Sequence, residues 1–262
     1  MQMDDFLKKL TDIIWERRKI TSPLYRLIMS GEATLRLLQN FVIHRYPIKN
    51  IYTRNVMGVG SRIEDHKLRR LFVENVYEEE TGASTNSDRH VQVFLTFGEY
   101  LGVPAETVLN TPMLPETKAL VDFNLNACNN TNVPVSDGAA SVLLLMEGQP
   151  PIVNKNGNSM ESVMRDVYKL PRKAYEFFTH HASSNGDKQY VSDLEDTHTS
   201  AILEVLRQYC TTEELQQSAI RSLETAIDLR HKHFDAMYEK FYDPSEPVFR
   251  YSEHRVEATH GN

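Results

Sequence analysis

Between Leu68 and Leu101 the chain reads LRRLFVENVYEEETGASTNSDRHVQVFLTFGEYL, and its apolar spacing allows little besides two helices joined by a polar loop. In the first, Leu68, Leu71, Phe72, Asn75, Val76 and Glu79 recur at i, i+3, i+4, i+7, i+8 and i+11, so they share one face. Glu79 therefore stands on the core-facing stripe, with Glu78 and Glu80 projecting to either side. In the second, His90, Phe94, Phe97 and Leu101 line one face. A carboxylate and an imidazole aimed into a core are costly unless something there needs them. The pair predicts half of a metal site.

The same helical period runs through the rest of the chain. It predicts helices over 4–19, 24–29, 34–58 (bent near Pro47), 62–80, 89–100, 105–109, 116–127, the apolar DGAASVLLLMEGQ segment, 160–168, 172–182, 190–209 and 212–241. Thr21, Ser22 and Pro23 supply a cap and first-turn proline for the second of these, and Gly31 stops it. No strand alternation and no internal repeat is present. The fold class is all-α, with eight or more helices in a single domain over 1–243 and a loose polar tail over 244–262.

Composition removes several function classes. The net charge is −7 and no basic run stands out, which disfavours nucleic acid or an anionic membrane as partner and leaves a small-molecule substrate. The longest apolar run, Ala139 to Met146, is too short to cross a bilayer. The amino terminus is amphipathic without a signal-peptide core, and the two cysteines, Cys128 and Cys210, have no CxxC spacing. Cytoplasmic localisation is the expectation.

Four more ionisable residues fall on apolar faces. Glu147 accompanies Ala140, Leu143 and Leu144, and His181 follows Ala174, Phe177 and Phe178. Glu195 and His198, spaced i, i+3, share a face with Val191, Leu194, Ala201, Ile202 and Val205. Glu79, Glu147 and Glu195 with His90, His181 and His198 make a mixed oxygen and nitrogen set suited to a pair of iron or manganese ions. The plainer alternative is that each histidine is a hydrogen-bonded core residue and the EEE run a solvated helix end. His44, His66, His180, His231 and His233 read as surface or structural residues. Arg45, Lys49 and Arg54, on or near the long third helix, could hold a substrate carboxylate or be exposed charges.

The segments SPLYRLIMSGEATLRLLQNFVIHRYP, the 68–101 block, LLLMEGQPPIV and EFFTHHA, in this order, resemble the haem-oxygenase-like superfamily that includes TenA, PqqC and the haem-oxygenase-like diiron oxidases. The likeness runs from about residue 6 to 242 and implies a haem-oxygenase-like (TenA/PqqC-like) helical bundle. Carried over by position, the ligands of the diiron branch fall on Glu79, His90, Glu147 and His181. The strict positions after His181 hold Asn185 and Lys188, neither of which completes the set. If SSNGDKQ is an insertion, Glu195 and His198 restore it. The resemblance implies two Fe(II) per chain with O2 as co-substrate, allows a homodimer, and implies a small amino-acid, amine or fatty-acid substrate. N-oxygenation or oxidative C–C cleavage in natural-product biosynthesis would be the reaction.

Departures bear on the other branches. Ser22-Pro23 stands at the position of the proximal histidine of haem oxygenases, and no glycine-rich distal helix is present. TenA-type hydrolysis needs a cysteine nucleophile, for which neither Cys128 nor Cys210 has support from its surroundings. The self-sacrificing branch that makes aminobenzoate uses a tyrosine, matched by Tyr25, and a lysine, where Gly157 stands instead. A metal-free TenA/PqqC-like hydrolase or oxidase and a non-catalytic helical binding protein are the alternatives to the diiron reading.

Overall fold

Side-chain caps set where several helices begin in the computed structural model, which describes residues 1–83, 86–149, 152–180 and 197–252. After α1 (Met3–Glu16), the Ser22 hydroxyl accepts from the Tyr25 N–H and starts α2 (Pro23–Ser30), which Gly31 closes at φ 77°. The Thr34 hydroxyl caps α3 (Leu35–Asn50) in the same way. Where one bent helix over 34–58 is expected, there are two. Helix α3 runs through Pro47 and ends at Ile51, where α4 (Tyr52–Gly60) takes over. The predicted helix from 62 starts later, as α5 (His66–Thr81), because Asp65 accepts from the Lys67 and Leu68 N–H groups.

Next come α6 (His90–Tyr100), α7 (Ala105–Asn110) and α8 (Pro115–Asn129). Cys128, just past the predicted end of the 116–127 helix, is a fully buried residue of α8. The apolar segment 135–147 is one helix, α9, whose middle, Ala139–Leu144, widens to π geometry before closing with Leu145–Glu147. A second helix with a π segment, α10, covers 160–167. The last three are α11 (Arg172–His180), α12 (Thr197–Tyr209) and α13 (Glu213–Phe241). Among the described residues there is no strand, only the isolated bridges Thr34–Val248 and Val153–Ser159. None of the described helices is long and apolar enough to cross a membrane.

The long α13 is the spine, packing on α1, α2, α3, α8 and α9. Two large apolar clusters form around it. One joins α2, α3, α6, α10 and α11 to Phe234 and Met237 of α13. The other joins α1, α4, α5, α9 and α12 to the earlier turns of α13, from Ala219 to Ile227. The tail does not hang free over its described part. Phe249 is buried and its N–H donates to Ala33, while the Tyr251 N–H donates to Tyr168. These bonds fasten 248–251 across the junction of α2, α3 and α10.

Candidate metal centre

The ionisable interior lies where the two apolar clusters meet. Helix α5 gives Leu68 and Phe72 to one cluster and α6 gives Val91 and Phe94 to the other. The turn between them brings the end of α5 against the start of α6. Glu79 Oε1 lies 3.2 Å from His90 Nδ1, and Glu78 Oε1 lies 3.7 Å from His90 Nε2. The spacing argument placed Glu78 at the side of the helix. It is instead as enclosed as Glu79, at 17% and 16% side-chain exposure, so the imidazole sits between two carboxylates. Burial alone would lower the His90 pKa, but the Glu79 carboxylate against the ring, with Glu78 beyond it, raises it overall. Glu80 is the outward member of the run. It accepts from the Thr53 hydroxyl at 2.7 Å and lies 3.7 Å from Arg89, which ties α5 to α4 and to the start of α6.

Glu147 arrives from α9, one turn past the π segment, and accepts a short hydrogen bond from the Tyr52 hydroxyl of α4. Tyr52 is buried, and burial first, then the Glu147 charge and hydrogen bond, then Glu79, push its pKa well up, so it stays a donor. Lys49 lies with its ammonium 4.6 Å from the centre of the Phe177 ring. Burial and the neighbouring Arg45 lower its pKa to about 8, and the charges of Glu79 and Glu147 hold it from falling further. Both carboxylates thus act on the same lysine and the same tyrosine, although α5 and α9 supply them from distant parts of the chain. His198 of α12 lines a small cavity with Tyr52, Asn75, Leu143 and Ile202, on the Tyr52 side of this group. The Asn75 amide oxygen, one turn before Glu79, is buried there with no hydrogen-bond partner.

Of the six residues expected as ligands, Glu79 and His90 touch, Glu147 shares Lys49 and Tyr52 with Glu79, and His198 borders the adjoining cavity. His181 and Glu195 lie outside the described residues. Among the described residues no three acidic, histidine or cysteine side chains converge as a metal set. The donor chemistry that is present, carboxylate beside imidazole at a buried position, suits iron. Lys49 places a positive charge beside both carboxylates.

Two residues of the third helix behave differently from the plain expectation of exposed charge. Arg45 is 3% exposed and Lys49 is enclosed, whereas Arg54 faces solvent and is removed from the candidate set. Sequence reasoning missed Tyr52, Lys19 and Arg230. Tyr52 follows the helix break, so it belongs to a new face that a continuous helix would not predict. The cysteines are unsuited to nucleophilic work. Burial pushes the thiol of Cys128 far up and that of Cys210 up to about 11. Tyr25 is buried among Phe41 and Phe234, while Gly157 occupies a turn at φ 79° whose side-chain direction is open.

The order of these helices, and their packing around an interior polar group, define a haem-oxygenase-like helical bundle. A solved structure from Shewanella denitrificans, described as a domain of unknown function with a heme oxygenase-like fold, superposes with a TM-score of 0.64 at 19% identity, covering 90% of this chain and 91% of that one. A family profile described as iron-containing redox enzyme matches residues 39–231, and the chain belongs to that family. It is 24% identical over 209 residues to a 4-aminobenzoate synthase of Chlamydia muridarum, covering 78% of this chain and 85% of that protein. It is 22% identical over 236 residues to a bifunctional coenzyme PQQ synthesis protein C/D of Methylorubrum extorquens, covering 90% of this chain but 59% of that protein.

Proposed function

We propose that this redox enzyme is a non-haem diiron oxidase or oxygenase. Its substrate would be a small amino acid, amine or fatty acid, which it would N-oxygenate or cleave oxidatively at a C–C bond. Six side chains, Glu79, His90, Glu147, His181, Glu195 and His198, would hold two ferrous ions. The observation that carries the reading is the Glu79–His90 contact of 3.2 Å, buried beside Glu147 and their shared lysine. The iron-containing family supports it, and relatives named for aminobenzoate and PQQ synthesis favour a biosynthetic role.

Bound iron would supply the electrons that reduce O2. The chain's own residues would prepare the place for it. The Tyr52 hydroxyl donates to Glu147 and fixes the direction of that carboxylate. Lys49 would offset the repulsion between Glu79 and Glu147, since both carboxylates act on its ammonium. Thr53 and Arg89 anchor Glu80, which holds the last turn of α5 and therefore the register of Glu79. The two apolar clusters on either side keep bulk water from the group.

The test is anaerobic loading with ferrous salt, metal analysis, and then exposure to O2. Two irons per chain with an O2-dependent optical change in the wild type, and loss of both in Glu79→Ala and His90→Ala, are expected. A correctly folded wild type that retains no iron overturns the reading.

A further inference from the structure

A group of buried cations near the centre is left unused by these roles. On α13, Arg230, His233 and Phe234 fall at i, i+3 and i+4 and so share a face. The guanidinium of Arg45 lies over the Phe234 ring, 5.3 Å from its centre, and Tyr25 packs on the same ring at 4.9 Å. Arg45 and Arg230 are each 3% exposed and His233 is fully buried. Arg230 donates through Nη2 to the Arg17 carbonyl at 2.7 Å, but its Nε and Nη1 have no partner. The Thr117 hydroxyl meets His233 Nδ1 at 2.9 Å, and His233 Nε2 has no partner. With Thr117 donating, Nε2 carries the ring proton and is itself an unmet donor.

Among the described residues Arg45 makes no hydrogen bond and no ion pair. A buried cation without an anion is costly, and three unmet donors around one phenylalanine ring multiply that cost. The surroundings show the strain. The pKa of Arg230 is lowered to about 9, first by burial and then, among other charges, by Arg45 and Arg17, with Tyr25 opposing. That of Lys19, whose stem is partly exposed but whose ammonium is enclosed, is pushed well down by burial and then by Lys49, Arg45 and Arg230. An arriving anion would meet these donors and lift that cost. Lys49, one turn after Arg45, connects this cationic end of the interior to Glu79 and Glu147 at the other.

We propose that Arg45, Arg230 and His233 Nε2, flanked by Lys19 and Lys49, form the subsite that holds the carboxylate of the substrate and turns the rest of the molecule toward Glu79, His90 and Glu147. The subsite rests on the redox reading for what is done to the substrate, but not for the binding itself. Within the substrate class proposed above, it selects amino acids and fatty acids and excludes simple amines, whose ammonium the guanidinium groups repel. Carboxylate also suits guanidinium geometry, in which planar donors meet a planar acceptor.

The experiment measures binding of octanoate to the protein as purified, by calorimetry at fixed ionic strength, with octanamide, octylamine and inorganic phosphate as comparisons. Iron content is measured on the same samples. Octanoate should bind at least about tenfold more tightly than octanamide or octylamine, and Arg45→Met and Arg230→Met should each weaken it by about tenfold or more while iron content stays as in the wild type. Arg45→Met without ligand should unfold at a temperature no lower than the wild type, because it loses an unmatched charge; a merely structural arginine would lower it. Octanoate binding no tighter than octanamide, or phosphate binding that displaces octanoate and exceeds it in affinity, overturns the proposal. Those comparisons use the wild type alone, so they decide the matter even if a variant fails to fold. A protein that binds octanoate but no iron keeps the subsite and fails the diiron reading.

Discussion

His44 lies flat against Phe241, with ring centres 5.3 Å apart and planes 15° from parallel, at a position 3% exposed. Burial, with Lys240 nearby, lowers its pKa to about 4 from the ordinary 6.5. A histidine with a depressed folded pKa is neutral in the fold while the unfolded chain still takes up a proton, so stability falls as pH drops from about 6.5 toward 4. His44→Phe keeps the stacked ring and removes the titration. Its stability relative to the wild type should therefore rise as pH falls through that window, by at most about tenfold in the unfolding constant per pH unit. Urea unfolding at several pH values checks this, and parallel curves for the two proteins would refute it. Residues of the site differ in how well the sequence exposes them. Glu79 and His90 were legible because each interrupts an otherwise apolar stripe. Glu78 was not, since neighbours on a helix point about 100° apart and only the folded turn into α6 brings both carboxylates to one imidazole. Arg230 was hidden for another reason. It sits among many charges on α13, and nothing local distinguishes the one that faces inward.

At the scale of elements, the amphipathic period placed nearly every helix of the described chain, and capping chemistry explains the boundary shifts. Asp65 moves the start of α5, and the break at Ile51 splits the expected long helix so that Tyr52 opens a new face. The π segment of α9 was not legible, because a single wide turn leaves no mark in a run of apolar residues. Ser22 carries a testable part of this logic. It is 1% exposed, accepts from the Tyr25 N–H at 3.3 Å and donates to the Lys19 carbonyl at 2.9 Å, so one hydroxyl joins the turn at 19–21 to the first turn of α2. Both Lys19 and Tyr25 border the cationic interior. Ser22→Ala should cost about 1 kcal/mol in denaturant unfolding, the ordinary value of an N-cap, and Ser22→Thr should recover most of it. An unchanged midpoint in Ser22→Ala would show that Pro23 alone starts the helix.

Among the described residues two large apolar clusters are held against one spine, and the buried ionisable groups lie in the seam between them. A seam lined by Arg45, Arg230, Lys49, Glu79 and Glu147 does not attract its own walls as strongly as an apolar one, so each cluster has to hold its own shape. The segment after α13 fastens the first of them from within, and composition alone hid it. PSEPVFRYSEH reads as polar, yet Phe249 is 4% exposed and stacks at 6.2 Å on Tyr168, itself fully buried with its hydroxyl donating to Ile28 and accepting from the Ala33 N–H. Arg250 adds a bond to the Gly31 carbonyl at 3.0 Å. The strap therefore locks the end of α2, the start of α3 and the end of α10 into one unit, and α2 and α3 carry Tyr25, Arg45 and Lys49. Phe249→Ala should cost about 3 kcal/mol, near the lower end for a buried phenylalanine because its surroundings are close to the surface and can settle. Chain termination after residue 243 should cost at least as much, since it also removes the Phe249, Tyr251 and Arg250 hydrogen bonds. Urea unfolding of both variants measures this. A truncated chain as stable as the full one would mean the strap only rests on the surface, and that α2, α3 and α10 hold together without it.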